Sequence, residues 1–185
     1  LTNRPLEIVG DDSGGAVVDG GIGEDHINSV WFSDDDVMYC VGHRQSTKFN
    51  RPSRIRAVEG VWIRREMYAG RNSHNVYIEN GKIYICNSAE WQLLEIDLST
   101  GYRRTLQLDG FVRGLGRVDD GFVLGISEDA PRAERASGNS KVVLVSDAFE
   151  VIDEIELTGC GGVQDLRVLE VPDRSHNGIA FKVER

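Results

Sequence analysis

The chain reads as an all-β fold, on three observations. Short runs rich in Val, Ile, Tyr and Phe are bounded by Asp-Gly, Asn-Gly and Gly-Gly pairs. The 21 glycines against 4 prolines supply tight turns while leaving strand ladders their N–H donors. A pattern of strand, turn and strand recurs along the chain, and no long run spaces its apolar residues as a helix face requires.

The repeat is plainest in residues 73–95, SHNVYIENGKIYICNSAEWQLLE: an apolar strand, an Asn80-Gly81 turn, a second apolar strand and a third entered by Trp91. In chain order, residues 6–9 and 16–19 are two short strands around a turn-rich stretch. A first full unit places strands at 29–32, 37–41, 55–58 and 61–64. A second, built on the stretch above, places them at 76–78, 82–86, 92–96 and 104–108. The third has two strands around Asp119-Asp120-Gly121, then strands at 142–146 and 151–157. A fourth opens with a strand over 163–171 and closes with one over 179–183.

Aligned on their turns, Asp36, Gly81 and Gly121 correspond, as do Tyr39, Tyr84 and Leu124, giving turn spacings of 45 and 40 residues. Four-stranded blades repeat at roughly 40 to 50 residues. The expectation is therefore a single domain over residues 1–185, a small β-propeller of four blades. Its last blade takes two strands from each chain end, and such closure removes exposed sheet edges. The likeness of SHNGIAF, residues 175–181, to SHNVYI supports the other count, a fragment of a five- or six-bladed ring.

HINSVWF, SHNVYIENGKIYICNS and FVRGLGRVDDGFVLGIS resemble the blade openings of an uncharacterised bacterial propeller family, and are more loosely similar to gluconolactonase-type and NHL-repeat propellers. The likeness covers turns and core positions over roughly residues 25–171. It implies a fold and transfers no catalytic residue, and no ligand set of the gluconolactonase type is matched residue by residue.

Composition narrows the partners. With 40% hydrophobic residues the chain can bury a core, and its net charge of -9 repels polyanions, so neither nucleic acid nor an anionic membrane is the expected partner. No stretch has the length of a membrane span and the first residues lack a signal-peptide layout. Cys40, Cys86 and Cys160 form no CxxC spacing; with the first two inside apolar strands, a reducing, cytoplasmic setting is expected. Oligomeric state is not encoded in any of these features.

In a propeller the first strand of each blade lines the channel and the second returns antiparallel. Residues that precede first strands and follow second strands therefore share a face. This gathers His26, Asn28, His74, Asn75, Arg113, Gln164 and Asp165 with His43, Ser88 and Glu128, and sends His176 to the opposite end. Two long loops, 43–52 and 128–140, overhang the same face, where binding groups are usually carried.

Three readings of that face follow. Three imidazoles and a carboxylate suit a divalent metal, zinc or iron, and the ligand set is His26, His43 and His74 with Glu128, or with Asp165 in its place. Without metal, His74 or His26 serves as general base with Arg113 as an electrostatic clamp on an anionic substrate, in chemistry of lyase or hydrolase type. Asn28, Asn75, Arg44, Arg51, Trp91 and Asp165 complete the ligand contacts. The third reading is a non-enzymatic module that docks a protein or a glycan, with Arg44, Arg51 and Trp91 as contacts. The Asp34–Asp36 and Asp119-Asp120 turns lack the ligand spacing of a calcium loop. No GxSxG, GxGxxG or P-loop pattern occurs.

Overall fold

In a computed structural model, residues 7–10, 16–19, 25–33, 36–44, 52–59, 62–131 and 133–169 are described. They are all-β. Strands β1 (Glu7–Gly10) and β2 (Ala16–Asp19) form a two-stranded antiparallel sheet. Three four-stranded antiparallel sheets follow, each in chain order: β3 (Asp25–Phe32), β4 (Met38–Arg44), β5 (Pro52–Glu59) and β6 (Trp62–Arg71); β7 (His74–Glu79), β8 (Lys82–Asn87), β9 (Gln92–Asp97) and β10 (Arg103–Gln107); β11 (Phe111–Val118), β12 (Gly121–Ser127), β13 (Ser140–Ser146) and β14 (Val151–Leu157).

The middle sheet is packed on both faces, which explains the unbroken apolar run of β8. Ile83 and Ile85 join Val41, Ile55 and Ala69 of the first sheet. Tyr84 and Cys86, on the opposite face, join Phe122, Leu124 and Val143 of the third. Trp31 packs on Tyr77 at 4.7 Å and Tyr77 on Phe122 at 6.3 Å, so the strand aromatics pack between neighbouring sheets. Asn80 and Gly81 have φ of 51° and 72°, the left-handed pair that a two-residue hairpin matched to strand twist demands.

Each first strand carries one β-bulge near its start. Register shifts fall between Ile27 and Ser29, His74 and Val76, and Arg113 and Leu115. Asn28, Asn75 and Gly114 are thus equivalent, and the residues just before them are Ile27, His74 and Arg113. Asn75 and Gly114 are left-handed, with φ of 48° and 75°. The bulge lets the ladder continue past it, so β3 and β7 start at Asp25 and His74, earlier than the runs at 29–32 and 76–78 suggest.

Counting from the bulges corrects the alignment. Val41, Ile85 and Leu124 are equivalent, each fully buried, in place of Tyr39, Tyr84 and Leu124. Turns misalign the units because five residues separate β3 from β4 while two separate β7 from β8. The strand expected over 61–64 is longer: β6 continues to Arg71.

The strand expected over 163–171 is corrected as well: residues 163–169 form no ladder. They run beside β11 nonetheless. Leu166 lies against Gly114 and Val168 against Gly116, while Val163 sits over Gly125 and its N–H is held by Ser127 Oγ at 2.9 Å. Their expected partner, 179–183, lies outside the described residues, as does His176.

Candidate functional site

A cavity of about 940 Å³ lies at the end of the sheets where the bulged first strands begin. His26, Asn28, His43, His74, Asn75 and Arg113 line it from first strands and the end of β4, with Asn72 and Phe111. Arg135, Ala136, Cys160, Gly161, Gly162 and Gln164 close the far wall. That wall is tied by backbone: Gly161 N–H donates to Gly138 O and Gly162 N–H to Arg135 O, both at 3.0 Å, joining the loop after β12 to the segment after β14.

Arg113 and His74 occupy equivalent positions on neighbouring strands and meet there. Arg113 Nη2 lies 2.7 Å from His74 Nε2, and His74 Nδ1 lies 2.8 Å from Ser88 Oγ. Arginine only donates, so Nε2 is the acceptor and Nδ1 carries the ring proton. Ser88 Oγ accepts that proton and donates its own to Val112 O at 2.6 Å. The direction of the whole chain is fixed, from guanidinium to imidazole to hydroxyl to carbonyl. It requires a neutral His74; burial, then the Arg113 charge, hold its pKa down to about 3.

His43 is fixed by a different neighbour. Asn28 Nδ2 donates to His43 Nδ1 at 2.9 Å and to Ser73 O at 2.8 Å, so both amide hydrogens are used and the neutral His43 ring carries its proton on Nε2. Asn75 holds the next strand in place: its Oδ1 accepts from Gly114 N–H at 2.8 Å and its Nδ2 donates to Asp165 Oδ1 at 3.1 Å. Gly114 is required at its bulge, because a Cβ there would meet Leu166 at 2.9 Å in addition to the positive φ. Cys86, buried against Gly114 O, has its thiol pushed well above the usual range by desolvation and is inert packing.

The charge balance of the lining is one-sided. Arg113 and Arg135 are cationic, and among the described lining residues there is no Asp or Glu, in a protein of net charge -9. Arg113 is steadied by neutral groups, His74 on one side and Gln164 Oε1 on the other, with its Cζ 5.3 Å from the Phe111 ring centroid. Its Nε is buried with no partner among the described residues. Burial, and then the charge of Arg135, lower its pKa.

The sequence-derived residues divide accordingly. His26, Asn28, His43, His74, Asn75 and Arg113 are brought together. Asp165 stands behind Asn75. Glu128 turns away, its carboxylate accepting from Asn139 N–H at 3.0 Å and Asn139 Nδ2 at 2.9 Å. Trp91 caps the short 3-10 turn Ser88–Glu90 outside the lining. Arg44 ends β4 with its side chain outside the described part, and Arg51 lies outside the described residues.

The metal set does not assemble. Both nitrogens of His74 are engaged, and the Glu128 carboxylate is bound to Asn139 outside the lining. Among the described residues no three His, Cys, Asp or Glu side chains are grouped to hold a metal ion.

With this geometry in view, comparison with known proteins yields a likeness of fold. No family model and no curated protein matches the chain. The solved structure of the Pyrococcus horikoshii acylaminoacyl peptidase is similar, with a TM-score of 0.51 and 12% identity over 71% of this chain. The match covers 25% of the peptidase. At that identity the likeness is one of fold alone. No helix among the described residues is long and apolar enough to cross a membrane.

Proposed function

We propose that this chain is a propeller-type domain that binds a small anionic molecule in the cavity at one end of its first strands, with Arg113 as the principal contact. The observation that carries the reading is a cavity lined by two arginines and no described carboxylate. A cation held by neutral partners keeps its charge for a ligand, whereas one held by a carboxylate has already been compensated. His74 acts through Arg113 as its positioning residue: its one lone pair is used by the guanidinium and its proton by Ser88.

The propeller part of the proposal draws support from adjacent, similarly bulged first strands and from the course of residues 163–169. Leu166 and Val168 lie against Gly114 and Gly116 of β11, and Asp165 accepts from Asn75 Nδ2 at 3.1 Å. On this reading the domain has four blades, with β1 and β2 belonging to the last.

Calorimetric titration of the chain with acetate, succinate, citrate and inorganic phosphate at constant ionic strength tests the binding claim. Saturable binding of at least one anion is expected, weakened about tenfold or more in R113Q, the scale of a charge-assisted hydrogen bond. Absence of binding by all four, or binding indifferent to R113Q, contradicts it.

A further inference from the structure

We propose that Arg113 and Arg135 together hold a doubly charged phosphoryl group carried by a small molecule. The inference rests on the anion-binding reading above and names the chemistry of the ligand. Two guanidinium groups from different parts of the fold line one cavity, Arg113 from β11 and Arg135 from the loop after β12. A monocarboxylate compensates one of them and leaves the other facing a like charge. A phosphomonoester brings about -1.5 to -2 at neutral pH in a single tetrahedral group, with three acceptor oxygens, and so compensates both. Guanidinium forks match phosphate oxygens in pairs.

The donors are arranged for it. Arg135 turns its Nε to Ala130 O at 3.0 Å, which leaves its two Nη nitrogens for a ligand. Arg113 gives one hydrogen each from Nη1 and Nη2 to Gln164 and His74 and retains the other hydrogen on each nitrogen. The charge of Arg135, second only to burial in lowering the Arg113 pKa, acts on Arg113 as a like charge that a dianion relieves. The loop bearing Arg135 is pinned to the cavity wall through Gly138, Gly161 and Gly162, so the clamp is preorganised and not assembled by the ligand.

The test is titration of the whole chain and of R113Q, R135Q and R135K with inorganic phosphate, glycerol phosphate, acetate and succinate at constant ionic strength. Circular dichroism confirms folding of each variant. Phosphate and glycerol phosphate are expected to bind about tenfold or more tightly than either carboxylate, glycerol phosphate at least as tightly as phosphate, with R113Q and R135Q each losing about tenfold and R135K losing less. Phosphate that binds no tighter than acetate, or R135Q that binds phosphate as wild type does, overturns the inference. Succinate binding that depends on Arg113, with no phosphate binding, overturns it while leaving the anion reading intact. Silence toward all four anions overturns both. Free phosphate preferred over glycerol phosphate excludes the small-molecule ester.

Discussion

Arg113 and Arg117 lie on the same strand, β11, on either side of Leu115, and their surroundings are opposite. Arg117 is ion-paired: its Nε is 3.0 Å from Glu79, its Nη1 2.6 Å from Asp147, and Nη1 also donates to Gly121 O at 2.8 Å. Its pKa is raised, chiefly by the Asp147 hydrogen bond. Arg113 has no carboxylate among its described contacts, neutral partners on both sides, and a lowered pKa. One arginine fastens sheets together at the β11–β12 turn end; the other is kept charged and uncompensated at the cavity. Equal residue types on one strand therefore carry different roles, and their partners decide which.

The largest expected effect breaks this contrast at the cavity. R113Q loses anion binding by about tenfold or more while its thermal midpoint stays within about 3 °C of wild type, because it removes a half-buried cation that no carboxylate compensates. Calorimetry and thermal unfolding measure the two halves. At the bulge, G114A forces a Cβ into Leu166 at a positive φ and is expected to cost about 2 kcal/mol or more in chemical denaturation. G81A, at a positive φ but with open space around it, costs about 1 kcal/mol. R117Q should lower stability by about 1 kcal/mol, the scale of partly exposed pairs, with anion binding unchanged.

His74 sharpens the contrast further. H74Q keeps a neutral acceptor for Arg113 and is expected to bind anions within about threefold of wild type, whereas H74A loses about tenfold; rescue by the amide is what positioning predicts and general-base chemistry does not. The smallest effect is on pH dependence. His74 has a folded pKa of about 3 against 6.5 for the ordinary side chain, so between those values the unfolded chain binds the extra proton. Its contribution is fully present above pH 6.5 and is lost as pH falls toward 3. Replacing it with Gln should flatten the stability profile in that window, and denaturant midpoints measured from pH 7 down to pH 4 show whether it does.

Much of this site was legible in the residues. Period-two strands, the Asn80-Gly81 turn and the strand-start rule together gathered His26, Asn28, His43, His74, Asn75 and Arg113, because a repeated hairpin fixes which ends of its strands share a face. The register was harder. Tyr39 aligns with Tyr84 on turn spacing, yet the bulges make Val41 the equivalent of Ile85, since a longer β3–β4 connection is invisible to a spacing argument. Phe111 and Cys160 join the lining through hydrogen bonds and packing that leave no pattern in the sequence. Arg135, in the long loop 128–140, reaches the cavity because backbone bonds from Gly161 and Gly162 pin that loop. Glu128 had the right strand end and the wrong direction: its carboxylate closes onto the Asn139 backbone instead. The tautomer of His74 depends on three side chains from three segments and emerges only from their geometry.

The central claim is that Arg113 is held charged for a ligand while Arg117 is consumed by structure. Parallel calorimetric titrations of wild type, R113Q and R117Q with the tightest-binding anion of the panel test it most directly. The account predicts superimposable isotherms for wild type and R117Q and a loss of about tenfold or more for R113Q. Equal losses in the two variants, or a loss confined to R117Q, would contradict it.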